Sequence, residues 1–205
     1  MIAGNSTDTR PNGPTLYPNE RPKSNWDLQL RALLPNTKYF VFLTEPQYLP
    51  DQMNRIIEKA TLSDSAELSE LTYKSKAHWG YSEEQMEKWR DDLQVLAEYI
   101  ENNEVFITRE SDQIAGYYSF SKVSDSTIKL DNIFIDPEHI GKGFGLTLMR
   151  SFLNRVKKLE IATITLDSEP NAEQFYQRFG FKIVGQLKSS IPNRFLPIME
   201  LNLNH

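Results

Sequence analysis

From residue 53 onward, stretches with apolar residues at every third or fourth position alternate with stretches that have one at every second. RIIEKA (55–60) reads as a strand. SDSAELSELTYKSKAH places Ala66, Leu68, Leu71 and Ala77 at helical spacing behind an N-cap at Ser63 or Asp64. SEEQMEKWRDDLQVLAEYIEN predicts a second helix capped by Ser82, with Met86, Trp89, Leu93, Leu96 and Ile100 along one side. EVFITRE and QIAGYYSFSKV predict two strands joined by a turn at Glu110, Ser111 and Asp112, and TIKLDNIFIDP a longer strand ended by Pro137. FGLTLMRSFLNRVKKLE is an amphipathic helix with Leu148, Met149, Phe152, Leu153 and Val156 inward. IATITLDS is a strand, EPNAEQFYQRFG a short helix, and FKIVGQL and FLPIMELNL the last two strands. The expected order is β-α-α-β-β-β-α-β-α-β-β, an α/β (α+β) chain without internal repeats.

The first 52 residues break this rhythm. They hold seven of the eleven prolines, and the segment up to about Ser24 is too polar and proline-rich to fold alone. LQLRALLPN (28–36) and KYFVFLT (38–44) predict a short helix and a strand. The expected division is therefore an N-terminal extension over 1–52, partly disordered or docked, and one domain over 53–205.

Composition removes several chemistries. The chain of 205 residues contains no cysteine, which excludes disulfides, a thiol nucleophile and thiolate metal sites. Its three histidines have no ligand-like spacing, so no metal is expected. A net charge of −5 argues against nucleic-acid partners, and no apolar run is long enough to span a membrane. A cytoplasmic address is the expectation.

The stretch PEHIGKGFG carries Gly141, Gly143 and Gly145 between a strand and a helix. The dinucleotide pattern fails because leucines occupy 146 and 148, and no glycine-lysine-serine/threonine run exists. Two readings remain. The glycines permit positive φ in a sharp turn, or they clear side chains from the unpaired amides of a helix start, where an anion binds. Lys142 adds a charge there or is simply solvated.

IFIDP, a short loop and IGKGFG opening an amphipathic helix resemble motif A of the GNAT superfamily of acetyl-CoA-dependent N-acyltransferases, usually written [RQ]-x-x-G-x-[GA]. Ile140 takes the usual Arg/Gln place. Downstream, NAEQFYQRFGF resembles the second family signature through Asn171, Tyr176, Gly180 and Phe181. The resemblance covers about residues 53–205. It implies a mixed, mostly antiparallel sheet flanked by helices, with acetyl-CoA (coenzyme A) as cosubstrate. It also implies diphosphate binding by the backbone of Ile140, Gly141, Lys142, Gly143, Phe144, Gly145 and Leu146. The splayed strand, at Ile133, Phe134 and Ile135, would hold the pantetheine arm, with the Phe134 amide polarising the thioester carbonyl. Asn171 would hold coenzyme A or cap its helix. Tyr176 matches the family's general-acid tyrosine, although it also falls in a core stripe with Ala172, Phe175 and Phe179.

The family's strand glutamate is replaced by Lys129. Asp131, two residues on and on the same face, is the candidate base, a binder of the substrate cation or a cap on the sheet edge. SKAHWGYS places His78, Trp79 and Tyr81 in a helix break at Gly80; His78 and Trp79 are acceptor-pocket residues or part of a helix-junction cluster. Arg194 would recognise an acidic group on the acceptor or lie on the surface. The function implied is transfer of an acetyl group to a primary amine, small molecule or peptide, by direct attack. The alternatives are a non-catalytic acyl-CoA sensor of the same fold and an unrelated nucleotide-binding protein. Homodimers are common in the family.

Overall fold

The computed structural model describes residues 55–203. The short helix expected to stop before Pro35, the strand at 38–44 and the proposed boundary at 52 lie outside the described residues. Within them the elements run β1 (Ile57–Lys59), α1 (Ser65–Ala77), α2 (Glu83–Lys88), α3 (Ala97–Asn102), β2 (Glu104–Glu110), β3 (Gln113–Lys122) and β4 (Thr127–Ile135). Then follow α4 (Phe144–Val156), β5 (Thr163–Asp167), α5 (Glu173–Gln177), β6 (Lys182–Lys188) and β7 (Phe195–Asn202). The strands form one seven-stranded sheet in the order β1-β2-β3-β4-β5-β7-β6, antiparallel except for the β4–β5 pair. This is the mixed, mostly antiparallel α/β architecture expected.

One helix differs from expectation. The run from 82 to 102 starts as predicted, with Ser82 accepting from the Gln85 amide, but it breaks into α2 and α3. Val95 is the cause. Its N–H donates to Ser69 Oγ at 2.8 Å, and its carbonyl accepts from Ser65 Oγ at 2.7 Å. Both side chains belong to α1, so Val95 spends its peptide groups there instead of on a helix ladder. Leu96 is consequently exposed as the N-cap of α3, and Val95 is buried in its stead.

The sheet divides two cores. Against one face, Leu148, Met149, Phe152 and Val156 of α4 meet Tyr118, Phe120, Ile128, Leu130 and Ile135. Against the other, Leu68 and Leu71 of α1 and Ile100 of α3 meet Val105, Ile107, Ile114 and Tyr117. Gly116 of β3 permits the close fit on the first face. A Cβ there would lie 2.8 Å from both Ile135 Cδ1 and the Phe134 carbonyl, and 3.1 Å from Leu148.

Candidate active site

The β4–β5 pairing is short: Thr127 opposite Thr163, Ile128 opposite Ile164, Lys129 opposite Thr165. Beyond this, β4 stays paired with β3 while β5 continues along β7, so a slot opens between β4 and β5. Antiparallel ladders alternate bonded and non-bonded pairs. The Asp136 amide donates to the Ala115 carbonyl at 3.0 Å, which makes Phe134 and Tyr117, two steps back, a bonded pair too. Ile133 and Ile135 therefore turn their peptide groups toward the slot. This corrects the expectation for Phe134, whose N–H belongs to the β3 ladder. The amides free to polarise a carbonyl in the slot are those of Ile133 and Ile135.

The slot ends beside the glycine loop. Asp136 caps the turn Pro137–His139 by accepting from the Glu138 amide at 2.9 Å. Gly141 and Gly143 then adopt φ of +83° and +87°, the left-handed region that favours glycine. The turn reading thus accounts for two of the three glycines. Gly145 differs: it is buried in the first turn of α4, and a Cβ on it would sit in ordinary contact with Phe175 (3.6 Å) and Ile135 (4.0 Å). Neither crowding nor a positive φ therefore requires a glycine at 145.

The amide of Thr147 bonds to the Gly143 carbonyl at 3.1 Å. The amides of Phe144, Gly145 and Leu146 precede it and have no intrahelical acceptor. The Phe144 side chain points into the core, with the His139 ring 5.1 Å away and the Arg55 guanidinium 3.6 Å above its own ring. Arg55 also donates to the Lys142 carbonyl at 2.9 Å, and His139 Nε2 lies 2.7 Å from Glu110 Oε2, so the loop is pinned from both flanks. Ile140 and Leu146 pack partly buried against the core, while Lys142 is exposed.

Tyr176 is 8% exposed, with the rings of Phe175 and Phe181 5.3 and 5.9 Å away. Burial, then the negative charge of Glu169, pushes its phenol well above the usual tyrosine range, so it stays protonated. Asn171 is exposed in the turn Pro170–Ala172, whose N-cap is Glu169 with no side-chain capping bond. The capping explanation for Asn171 therefore falls.

Asp131 lies in a β-bulge: Leu130 faces Phe120 and Asn132 faces Ser119, so Asp131 is the extra residue. Ile128 and Leu130 before the bulge and Ile133 and Ile135 after it all pack on the α4 side. Asp131 and Asn132 are both turned to the α1–α3 side. Burial raises the Asp131 pKa above the ordinary carboxylate value, opposed by Ser121 and Lys129 and reinforced by Asp167. Lys129 Nζ meets Asp167 Oδ2 at 2.7 Å, closing the head of the slot.

His78 and Trp79 are exposed at the end of α1, edge to face with ring centroids 6.2 Å apart, ahead of Gly80 at φ +79°. Arg194 departs from expectation. Its guanidinium pairs with Glu169 and donates to Tyr81 Oη at 2.5 Å. The acid that it recognises is thus the protein's own. Glu169 also receives Lys76 Nζ at 2.8 Å and Tyr81 Oη at 2.8 Å. One carboxylate thereby joins α1, the loop after it, the β5–α5 loop and the β6–β7 loop. Sequence reasoning placed Tyr81 in the helix break but missed Glu169, Lys76 and Asn132, because their partners are distant along the chain. Among the described residues no His, Asp and Glu cluster is placed to hold a metal, and no helix is long and apolar enough to cross a membrane.

Comparisons with known proteins fit this arrangement. The uncharacterized N-acetyltransferase YvbK of Bacillus subtilis (strain 168) is 30% identical over 92 residues, 43% of this chain and 59% of that protein. The match thus spans well under two thirds of that relative's length. Among solved structures, the PaiA N-acetyltransferase of Thermoplasma acidophilum in complex with coenzyme A superimposes with a TM-score of 0.60 at 21% identity, covering 73% of this chain and 99% of that one. An acetyltransferase of Bacillus subtilis in complex with CoA gives 0.55 at 21%, covering 74% and 100%. Residues 79–201 match the Acetyltransferase (GNAT) domain family, and the chain belongs to it.

Proposed function

We propose that the protein transfers an acetyl group from acetyl-CoA to a primary amine by direct attack. The observation that carries this reading is the meeting of two sets of unpaired backbone groups. The slot-facing edge of β4 at Ile133 and Ile135 runs into the N-terminus of α4, where a Cβ on Gly145 would lie 4.0 Å from Ile135. Two solved relatives with similar folds are complexes with coenzyme A. In this chain the amides of Phe144, Gly145 and Leu146, with the positive end of the α4 dipole, suit a diphosphate. The Ile133 and Ile135 peptide groups suit an extended amide-bearing arm, and Asn171 is free to bind it from the far side.

Asp131, on the α1–α3 face at the edge of the slot and with a raised pKa, accepts a proton from the incoming ammonium. The freed lone pair forms the new C–N bond at the thioester carbon, whose oxygen accepts from a slot-facing amide of β4. As the C–S bond breaks, the protonated phenol of Tyr176 donates to the departing thiolate. His78 and Trp79 flank the acceptor entrance.

Thiol release from acetyl-CoA, measured against a panel of alkylamines, polyamines and peptides with free N-termini, tests this. The full chain and residues 53–205 should both show amine-dependent release. Calorimetric binding of coenzyme A with no release across the panel would support the non-catalytic reading instead. Absence of binding would remove both.

A further inference from the structure

The bulge in β4 turns a second polar side chain toward the slot beside Asp131. Asn132 donates from Nδ2 to two oxygens at once, Ser119 Oγ at 2.8 Å and Tyr99 Oη at 3.0 Å, and these two are themselves 2.7 Å apart. Ser119 is wholly buried on β3, and Tyr99 is brought across by α3. This hydroxyl pair fixes the amide plane. With Nδ2 turned toward Ser119 and Tyr99, Oδ1 is the branch directed away from β3, where β4 has lost its β5 neighbour. No described residue donates to Oδ1, and Asn132 is only partly buried, so the oxygen is open to a ligand.

Its neighbours along the strand define what that ligand is. On one side stands Asp131, and on the other Ile133, whose N–H faces the slot. We infer that Asn132 is the residue that holds the acceptor, its Oδ1 taking a hydrogen bond from the attacking nitrogen. A neutral amine has one lone pair and at least two N–H bonds. Oδ1 takes one N–H and so aims the lone pair at a carbonyl carbon polarised from the adjacent peptide. A carboxylate here would grip an ammonium more tightly but keep it protonated. A neutral amide oxygen binds the amine without opposing its deprotonation, and it leaves the proton to Asp131. The device is thus suited to nitrogen that must arrive charged and react neutral, and unsuited to alcohols, which would spend their single O–H on Oδ1 and retain no proton for Asp131.

This rests on the acylation reading above and is tested on the full chain, with acetyl-CoA and the best acceptor from ethylamine, spermidine, lysine amide and a tetrapeptide with a free N-terminus. Asn132→Leu should raise the KM for the amine about tenfold or more. The KM for acetyl-CoA and the calorimetric Kd for coenzyme A should stay within about twofold. Asn132→Asp keeps an acceptor oxygen against the same two hydroxyls. It should leave the amine KM equal or lower, while the acid limb of kcat moves to higher pH. Tyr99→Phe, which removes one of the two hydroxyls facing Nδ2 and loosens the amide plane, should give a smaller rise in the amine KM than Asn132→Leu. An unmoved amine KM in Asn132→Leu, or parallel rises in both KM values, would overturn the inference while leaving acylation standing. No amine-dependent release by the unsubstituted chain would overturn the acylation reading and this one together.

Discussion

Tyr176 offers an unusually clean test at the scale of one residue. Its ring is core, but its hydroxyl makes no hydrogen bond to a described residue, so Tyr176→Phe keeps the packing and removes only the hydroxyl proposed as the acid. Single-turnover acetyl transfer should fall roughly 10- to 1000-fold with little change in melting temperature; an unchanged rate would reject the assignment. Tyr176 and Asn171 stood out as candidates because they occupy fixed offsets in a short local pattern. Asn132 did not. Strict alternation puts it on the same face as Leu130, in the α4 core, and only the extra residue at Asp131 turns it round. A bulge of one residue leaves no trace in composition, and it reverses every side-chain direction beyond it. The same lack of three-dimensional register explains why Phe134 is the residue that sequence favours, whereas the slot-facing amides lie on either side of it.

Elements were legible where their own residues decide them. The helix α4 follows from periodicity because it buries one face against the sheet, and β2 to β4 follow as apolar-rich runs between turns, with residues of β2 and β3 buried on both faces. The helix over 82–102 was misread because the residues that break it, Ser65 and Ser69, belong to another element. Gly116 marks a similar cross-element constraint. Its backbone approaches Ile135 and the Phe134 carbonyl so closely that Gly116→Ala should destabilise the fold by about 1–3 kcal/mol, through displacement of β4 or α4. Urea unfolding would measure this, and a loss below about 0.5 kcal/mol would show that β4 yields easily. Because β4 also lines the slot, cosubstrate binding should weaken in the same variant.

For the described domain as a whole, Glu169 is the point at which distant parts of the chain are tied. It holds Lys76 from α1, Tyr81 from the next loop and Arg194 from the β6–β7 loop, with its side chain 13% exposed. Glu169→Ala would leave two cations partly buried without their partner, at a cost of about 1–3 kcal/mol. Hydrogen exchange should quicken in residues 78–82 and 189–194 together. Quickening in one loop alone would mean that the carboxylate does not couple them. None of these ties was readable beforehand, whereas the mixed, mostly antiparallel sheet was expected from the resemblance that two short motifs carry to the family. The parting of β4 from β5 has its own bearing on how the domain comes undone. A sheet that is continuous for only part of its width lacks one strand's worth of cross-links. An elongated guest laid in that vacancy would supply them, becoming for its residence time a structural member of its host. Whatever occupies the vacancy must be shed before the two wings can separate, so resistance to unfolding becomes a readout of occupancy.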